Sequence, residues 1–362
     1  MKFRTKEELK SILIKSSQSI REAIKIIDVA HYGIGVIVDD NNIVKGILTD
    51  PDIRRLVLQS VDFDENVNSV MNDKPVIVEQ NSVSKKEIQN IFIEKGFLQI
   101  PIVNENRQLV DLVIKSDMLD KAEKEVSHNK IHASVVIMAG GRGTRMEPFT
   151  TILPKPLIPI GDKSMLEVIM EEYARFDISD FCISVNYKAN LIKAYLSDSN
   201  LDYTISYIQE DKPLGTAGSL KLLSKEFANK PFFVSNCDII IRDDYSKIYD
   251  FHIKGKYAIT MVASLQHHKI PYGVCEIENG GDLVTIKEKP EYNFLVNTGM
   301  YIVNPEVLEK IPDNQFFHIT HLMDKLKKLG MKVGVFPVSE KSWIDVGQWT
   351  EYKDALRVLQ DD

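Results

Sequence analysis

The stretch VVIMAGGRGTRMEPFTTILPKPLIPIG, Val135 to Gly161, decides how this chain is read. An apolar, strand-like run ends at Met138. Ala139, Gly140, Gly141 and Gly143 then leave backbone amides uncovered by bulky side chains, so phosphate oxygens can approach them closely. Arg145 and Lys155 add positive charge to the same place. Such a loop suits a triphosphate whose α-phosphorus is attacked while negative charge builds on its oxygens and on departing pyrophosphate. Spacing excludes two other glycine loops. A dinucleotide fingerprint needs a third glycine three after the second, where Met146 follows Gly143, and a Walker loop needs Gly-Lys-Ser/Thr closing the run. A glycine run by itself is usually a tight turn, but no bare turn requires Thr144-Arg145 followed by Leu153-Pro154-Lys155-Pro156-Leu157.

Downstream of this loop, apolar strand-like segments (FCISVNY, YTISYIQ, FFVSNCD, AITMVASL) alternate with helical ones (MLEVIMEEYARF, ANLIKAYLSD, TAGSLKLLSKEF, YSKIYDFHIK). Parallel strands need crossover helices, so the alternation predicts an α/β domain with a mostly parallel sheet. The helix ITHLMDKLKKLG, the strand MKVGVFPV and a last helix from about Gln348 complete it. Upstream, the charged stretch LDKAEKEVSHNKIHA marks a boundary. Before it, the order helix, strand, turn, strand, helix occurs twice. Ser19 opens the first helix and GIGVIVDD, IVKGILT and DPDIRRLVLQ follow; Ser82 opens the second, followed by IPIVNE, QLVDLVI and KSDMLDKAEK. Both serines stand where an N-cap belongs, because a side-chain oxygen there accepts the first free amides of a helix. These readings place one domain at residues 1–122, a linker at 123–132 and a second domain at 133–362.

The 362 residues are 44% hydrophobic and 27% charged, an ordinary globular balance, and at about 100 to 200 residues per domain they fit two or three domains. The net charge of -7 argues against nucleic acid as a partner. No stretch approaches the roughly 18 to 20 continuous apolar residues of a membrane span, so no membrane is expected. Cys182, Cys237 and Cys275 lack metal-like spacing and read as core filler in a reducing, cytoplasmic compartment. His318 with His321, and His267 with His268, find no cysteine or carboxylate pattern that would complete a zinc site.

The segment from Val135 to Gly161 resembles the signature of the sugar-1-phosphate nucleotidyltransferases. The resemblance continues through Pro213-Leu214-Gly215-Thr216-Ala217-Gly218, Asn236-Cys237-Asp238, Tyr272-Gly273-Val274, Glu288-Lys289-Pro290, Asn297-Thr298-Gly299 and Trp343-Ile344-Asp345-Val346-Gly347, in the family's order. It implies a Rossmann-like fold of the GT-A-like kind, with a mostly parallel mixed sheet. It implies an enzyme that joins a nucleoside triphosphate to a sugar 1-phosphate and releases pyrophosphate. Arg145, Lys155 and Asp238 would be catalytic, and Asp238 with Asp345 would hold Mg²⁺. Ala139, Gly140, Gly141, Gly143, Gln209, Gly215 and Thr216 would bind the nucleotide. Lys289 would grip the sugar phosphate, with Gly273, Glu288 and Asn297 on the sugar.

The sugar 1-phosphate is itself the nucleophile, so the protein's task is to bring two polyanions in line and neutralise the transition state. Replacing Arg145 or Lys155 by Ala should therefore lower turnover with the fold intact. Residues 1–122 resemble a tandem pair of CBS domains, an α+β module that binds adenine nucleotides. Thr49 and Asp52 match positions that contact ribose and phosphate, and Asp117 recurs in the second copy, where Asp111 and Ile114 replace the first copy's glycine and threonine. CBS pairs often associate with one another, so a homo-oligomer is expected. The segment from Gln209 to Gly218 is more similar to guanylyltransferases than to thymidylyltransferases. The fusion resembles the glucosamine-1-phosphate guanylyltransferases of legionaminic acid synthesis, which points to GTP and a hexosamine or hexose 1-phosphate. Three alternatives stand beside this: a catalytically silent nucleotide-sensing scaffold, a thymidylyl-, cytidylyl- or uridylyltransferase of the same fold, and a glycosyltransferase, which should show an Asp-x-Asp metal motif and lack the Gly-Thr-Arg loop.

Overall fold

A computed structural model of the chain describes residues 4–80, 82–95, 97–115, 130–199 and 201–360. It divides into two compact units, Met1–Ser127 and His128–Asp362. Asp117, most of the expected helix KSDMLDKAEK and most of the expected linker lie outside the described residues.

The first unit repeats one motif twice. In each copy a short strand runs parallel to a second, which pairs antiparallel with a third: Leu13–Lys15, Ile34–Val38 and Val44–Thr49, then Val78–Glu79, Gln99–Val103 and Leu109–Ile114. The leading strands, three and two residues long, are too short to show a period in the sequence. Ser19 caps the helix Ile20–Ala30 through a capping box with Glu22. In the second copy the expected cap moves by two residues. Ser84, not Ser82, exchanges hydrogen bonds with Glu87, because Glu87 stands three positions after it as a capping box demands, while the Ser82 hydroxyl donates to the Glu79 carbonyl.

The second unit is built on a seven-stranded sheet. In chain order its strands are β1 (Val135–Met138), β2 (Asp180–Val185), β3 (Thr204–Gln209), β4 (Phe232–Asn236), β6 (Ile259–Lys269), β9 (Glu291–Val303) and β10 (Val333–Ser339). The numbers between belong to β5 (Ile239–Ile241) and the hairpin β7 (Val274–Glu278) and β8 (Asp282–Lys287); β11 (Trp343–Asp345) follows. The sheet order is β3-β2-β1-β4-β9-β6-β10. All its pairings are parallel except those of β9, which runs antiparallel to both β4 and β6, so the sheet is mixed and mostly parallel.

Helices α1 (Phe149–Ile152), α2 (Met165–Ala174), α3 (Ala189–Asp198), α4 (Gly215–Gly218), α5 (Tyr245–Gly255), α6 (Ile319–Lys328) and α7 (Trp349–Gln360) complete the unit. They cover both faces of the sheet. In β1, Val135 and Ile137 point into a core with Leu166, Ile169 and Tyr173 of α2, while Val136 points into an opposite core with Phe232, Val234, Leu322 and Leu326. A strand covered on both sides reads as an unbroken apolar run, as VVIM does. The expected helix TAGSLKLLSKEF survives only as α4 and a 3₁₀ turn, Ser219–Leu222. Its first amides are diverted: Ala217 and Gly218 donate to the Phe317 carbonyl across the loop, 3.0 Å each.

Candidate functional site

The carboxyl ends of β1 and β4, neighbours in the sheet, meet the short ladder in which β5 pairs antiparallel with β11. That ladder sets Ile239 opposite Asp345, and the Val346 amide donates to the Asp238 carbonyl at 2.9 Å. Two carboxylates more than a hundred residues apart in sequence are thus held side by side by backbone bonds. Lys155 comes to them from a proline-flanked 3₁₀ turn, Lys155–Leu157. It is 6% exposed, so its ammonium must find partners. It donates to Asp238 Oδ2 at 2.5 Å and to the Gly347 carbonyl at 3.3 Å. The Arg145 guanidinium stands 3.9 Å from the same Asp238 oxygen, with its side chain 63% exposed.

Gly347 passes between these groups. A Cβ there would lie 2.8 Å from Asp345 Oδ1, 3.0 Å from Asp238 Oδ2 and 3.3 Å from Lys155 Nζ, so a larger residue would push the charged groups apart. Its amide donates to Asp345 Oδ1 at 2.7 Å. Burial pushes the Asp345 carboxyl above its usual range and the charge of Asp238 adds to this, while the Gly347 amide, Lys155 and Arg145 pull the other way. Burial also pushes the neighbouring Cys237 thiol up to about 12, which marks it as inert filler.

The glycine-rich loop leaves β1 beside this centre. Gly143 is left-handed (φ 67°) and wedged where a Cβ would meet Thr150 Cγ2 at 2.9 Å and Lys155 Cβ at 3.0 Å. Next to Gly141 the space is open. Gly140 lies against Glu210, a residue passed over in the sequence in favour of Gln209. Glu210 is buried; it accepts from the Ser184 hydroxyl at 2.7 Å and from the Leu214 amide at 2.9 Å, and so ties β2 to the loop that opens α4. Gln209 is exposed at the end of the edge strand β3, where it accepts from Lys193 at 2.9 Å. Strand alternation explains the difference: adjacent residues face opposite ways, and only Glu210 turns inward. The Thr216 hydroxyl accepts from the Ile319 amide at 3.1 Å and so caps α6 from outside the helix.

The residues expected to hold the sugar phosphate gather at the root of the β7–β8 hairpin. Glu288 Oε2 lies 3.0 Å from where a Gly273 Cβ would be, and Lys289, itself left-handed (φ 45°), donates its amide to the Tyr272 carbonyl at 3.2 Å. Both side chains are exposed. Asn297 belongs to β9, donates to Tyr301 Oη at 2.6 Å and accepts from the Gly299 amide. Gly299 packs on Asn236, two residues before Asp238, so Asn297 shares the sheet edge with the carboxylates.

In the first unit, the Thr49 hydroxyl and amide donate to Asp52 Oδ2 at 2.6 and 3.0 Å and start the helix Asp50–Leu58, while Arg55 donates to Oδ1 at 3.0 Å.

The donor set around Asp238 and Asp345 suits Mg²⁺. Hard carboxylate oxygens sit together, and burial raises the cost of the Asp345 charge. Among the described residues no group of three or more His, Cys, Asp or Glu comes together in a way that could hold a metal ion by itself.

Residues 134–362 match the model of the nucleotidyl transferase family, and residues 8–59 and 67–124 each match the model of the CBS domain. The chain is 31% identical over 245 residues to a probable mannose-1-phosphate guanylyltransferase of Oryza sativa subsp. japonica, covering 62% of this chain and 64% of that protein. It is 33% identical over 235 residues to a mannose-1-phosphate guanyltransferase of Saccharomyces cerevisiae, covering 59% and 61%. It thus spans a little under two thirds of the length of these relatives. Among solved structures it resembles HddC from Yersinia pseudotuberculosis, with 26% identity and a TM-score of 0.50, over 63% of this chain and 99% of that one.

Proposed function

Because the chain belongs to the nucleotidyl transferase family and carries a tandem CBS pair ahead of that domain, we propose that it transfers the nucleotidyl group of GTP to a hexose or hexosamine 1-phosphate and releases pyrophosphate. The observation that carries this reading is the convergence of Lys155, Arg145, Asp238 and Asp345 beside a glycine-rich loop. Lys155 and Arg145 supply two cations to the place where triphosphate charge accumulates, and the loop amides supply neutral donors. Asp238 and Asp345 would hold Mg²⁺, which would supply further positive charge against the phosphates. Asp238 keeps Lys155 paired, so the buried ammonium pays no solitary desolvation. Lys289, at the hairpin root, takes the phosphate of the sugar 1-phosphate, and Glu288, Gly273 and Asn297 face its ring.

Glu210 supports guanine as the base. Each carboxylate oxygen has two lone pairs, and the Ser184 and Leu214 bonds use one on each. The remaining pair of acceptors matches the adjacent N1–H and N2–H donors of guanine, whereas adenine and uracil offer only one such donor to a neighbouring carboxylate. The names of the relatives point to the same base.

For the CBS pair we propose adenine-nucleotide binding at Thr49 and Asp52 in a homo-oligomeric, cytoplasmic enzyme. The unpaired thiols of Cys182 and Cys237, buried as expected, and of Cys275, exposed on the β7–β8 hairpin rather than filling the core, support a reducing compartment. Calorimetry of the full chain with AMP, ADP and ATP, set against Asp52→Asn, tests the nucleotide site. The catalytic reading is tested by a matrix of GTP, ATP, UTP, CTP and dTTP against mannose, glucose, glucosamine and heptose 1-phosphates, followed by pyrophosphate release. Pyrophosphate from GTP with a hexose or hexosamine phosphate is the expected result; none from any pair, with magnesium present, would overturn it.

A further inference from the structure

We infer that Lys188 is a positioning residue for the glycine-rich loop, holding the far end of that loop through the carbonyls of α1. The inference rests on the catalytic reading for its kinetic consequence but not for its geometry. Helix α1 is a single turn, so its last carbonyls have no partners within the helix. The Lys188 ammonium meets them: Nζ donates to the Thr151 carbonyl at 2.5 Å and the Ile152 carbonyl at 2.6 Å, with the Thr150 carbonyl at 3.5 Å. A cation on a helix C-terminus is favoured by charge as well as by hydrogen bonding.

What α1 holds in turn is the loop. Thr150, 1% exposed, donates its hydroxyl to the Gly143 carbonyl at 2.9 Å, and its methyl group closes, with Lys155, the side of Gly143 where a Cβ would stand. The turn that carries Lys188 also holds the loop's other end. Its Tyr187 amide donates to the Gly140 carbonyl at 3.4 Å, and the Tyr187 hydroxyl reaches the Thr150 carbonyl at 3.4 Å. Residues 140–152 are therefore clamped at both ends by Tyr187 and Lys188, between β2 and α3. Lys188 itself is left-handed (φ 52°) at the first position of that turn's exit into α3, and its side chain does not cap its own helix. Arg145, exposed and mid-loop, depends on this clamp for its direction toward Asp238.

The test compares Lys188→Met, which keeps the stem and removes the donors, with Lys188→Arg, which keeps both charge and donors. Amide hydrogen exchange on the unliganded protein reads the loop directly. For Lys188→Met, exchange across residues 143–152 should quicken about tenfold or more while the core strands stay protected. In parallel, kcat/KM for the triphosphate should fall about tenfold or more, with the KM for the sugar phosphate little changed, and Lys188→Arg should recover most of the loss. Unchanged exchange in Lys188→Met would overturn the inference whatever the enzyme does. A drop in activity that tracks a lower melting temperature, or that Lys188→Arg fails to recover, would also overturn it. Inactivity of the wild-type chain in the same assays would sink the catalytic reading instead and leave the exchange result to decide the clamp.

Discussion

Lys155 Nζ lies 2.5 Å from Asp238 Oδ2, a contact that bridges 83 positions of sequence and leaves the lysine side chain only 8% exposed. This pairing alters what substitution at the cationic centre should do. The sequence alone leads to the expectation that Lys155→Ala spares the fold; burial this deep predicts a cost in stability as well. Removing it leaves Asp238 beside Asp345 with only the exposed Arg145 guanidinium 3.9 Å away, and breaking a buried pair from one side costs up to about 3 to 5 kcal/mol. Lys155→Ala should therefore lose both turnover and melting temperature, and Lys155→Ala with Asp238→Asn should regain stability but no activity. Thermal melts of the two single variants and the double variant measure the coupling.

Arg145 is the contrasting case. Its side chain is largely in solvent and 3.9 Å from Asp238, so its pairing contributes little to stability. Arg145→Ala should melt within about a degree of the wild type yet lose on the order of 10² to 10³ in kcat, the usual cost of one charge-stabilising donor. Steady-state pyrophosphate release alongside a melting curve checks both halves.

Glu210 predicts base selectivity. Glu210→Gln can still satisfy Ser184 and Leu214, since an amide both donates and accepts, so the fold should hold. It no longer offers two acceptors to guanine. Its kcat/KM for GTP should fall about 10- to 100-fold, with a smaller change for UTP. Competition between the two triphosphates, scored by product, reads the ratio.

His252 predicts an acid limit to stability. It is buried, and that burial holds its imidazole below the usual value, partly offset by a hydrogen bond to Asn304. With Nε2 facing Asn304 Oδ1 at 3.3 Å, the ring donates there and accepts from the Thr260 hydroxyl through Nδ1 at 2.8 Å, a neutral arrangement. As the pH falls below about 6.5 the unfolded chain takes up a proton that the folded chain refuses, so stability drops with pH in that window. Urea melts at pH 7.5, 6.5 and 5.5 should show the decline, and His252→Gln should flatten it. The carboxylates held low by capping, such as Glu22 and Glu87, act only at more acid pH.

Much of this was legible in the residues. The run VVIM, the glycines after it and the helix α2 announce themselves because a doubly covered strand is uniformly apolar and a capped helix carries its signals locally; Ser164 and Glu167 form such a box. The pairing of Asp238 with Asp345 was legible only through family resemblance, since nothing local to either residue says that β5 and β11 will meet. Glu210 was missed for a physical reason: beside Gln209 at a strand's end, which of two adjacent polar residues turns inward depends on register, and register is fixed by the partner strand. The shortening of the helix after Gly215 was hidden too, and the Phe317 carbonyl that meets its first amides lies a hundred residues on.

The Gly347 carbonyl that receives the Lys155 ammonium is 192 residues downstream of it. A chain emerging from the ribosome therefore carries its glycine-rich loop, its first carboxylate and a half-neutralised lysine long before the segment that finishes the centre. On the proposed reading, competence waits for that segment, and a lesion that frays the stretch after Trp343 should silence the site and also weaken the unit, because Val346 and Ala355 are buried in the core that β1 and α2 share.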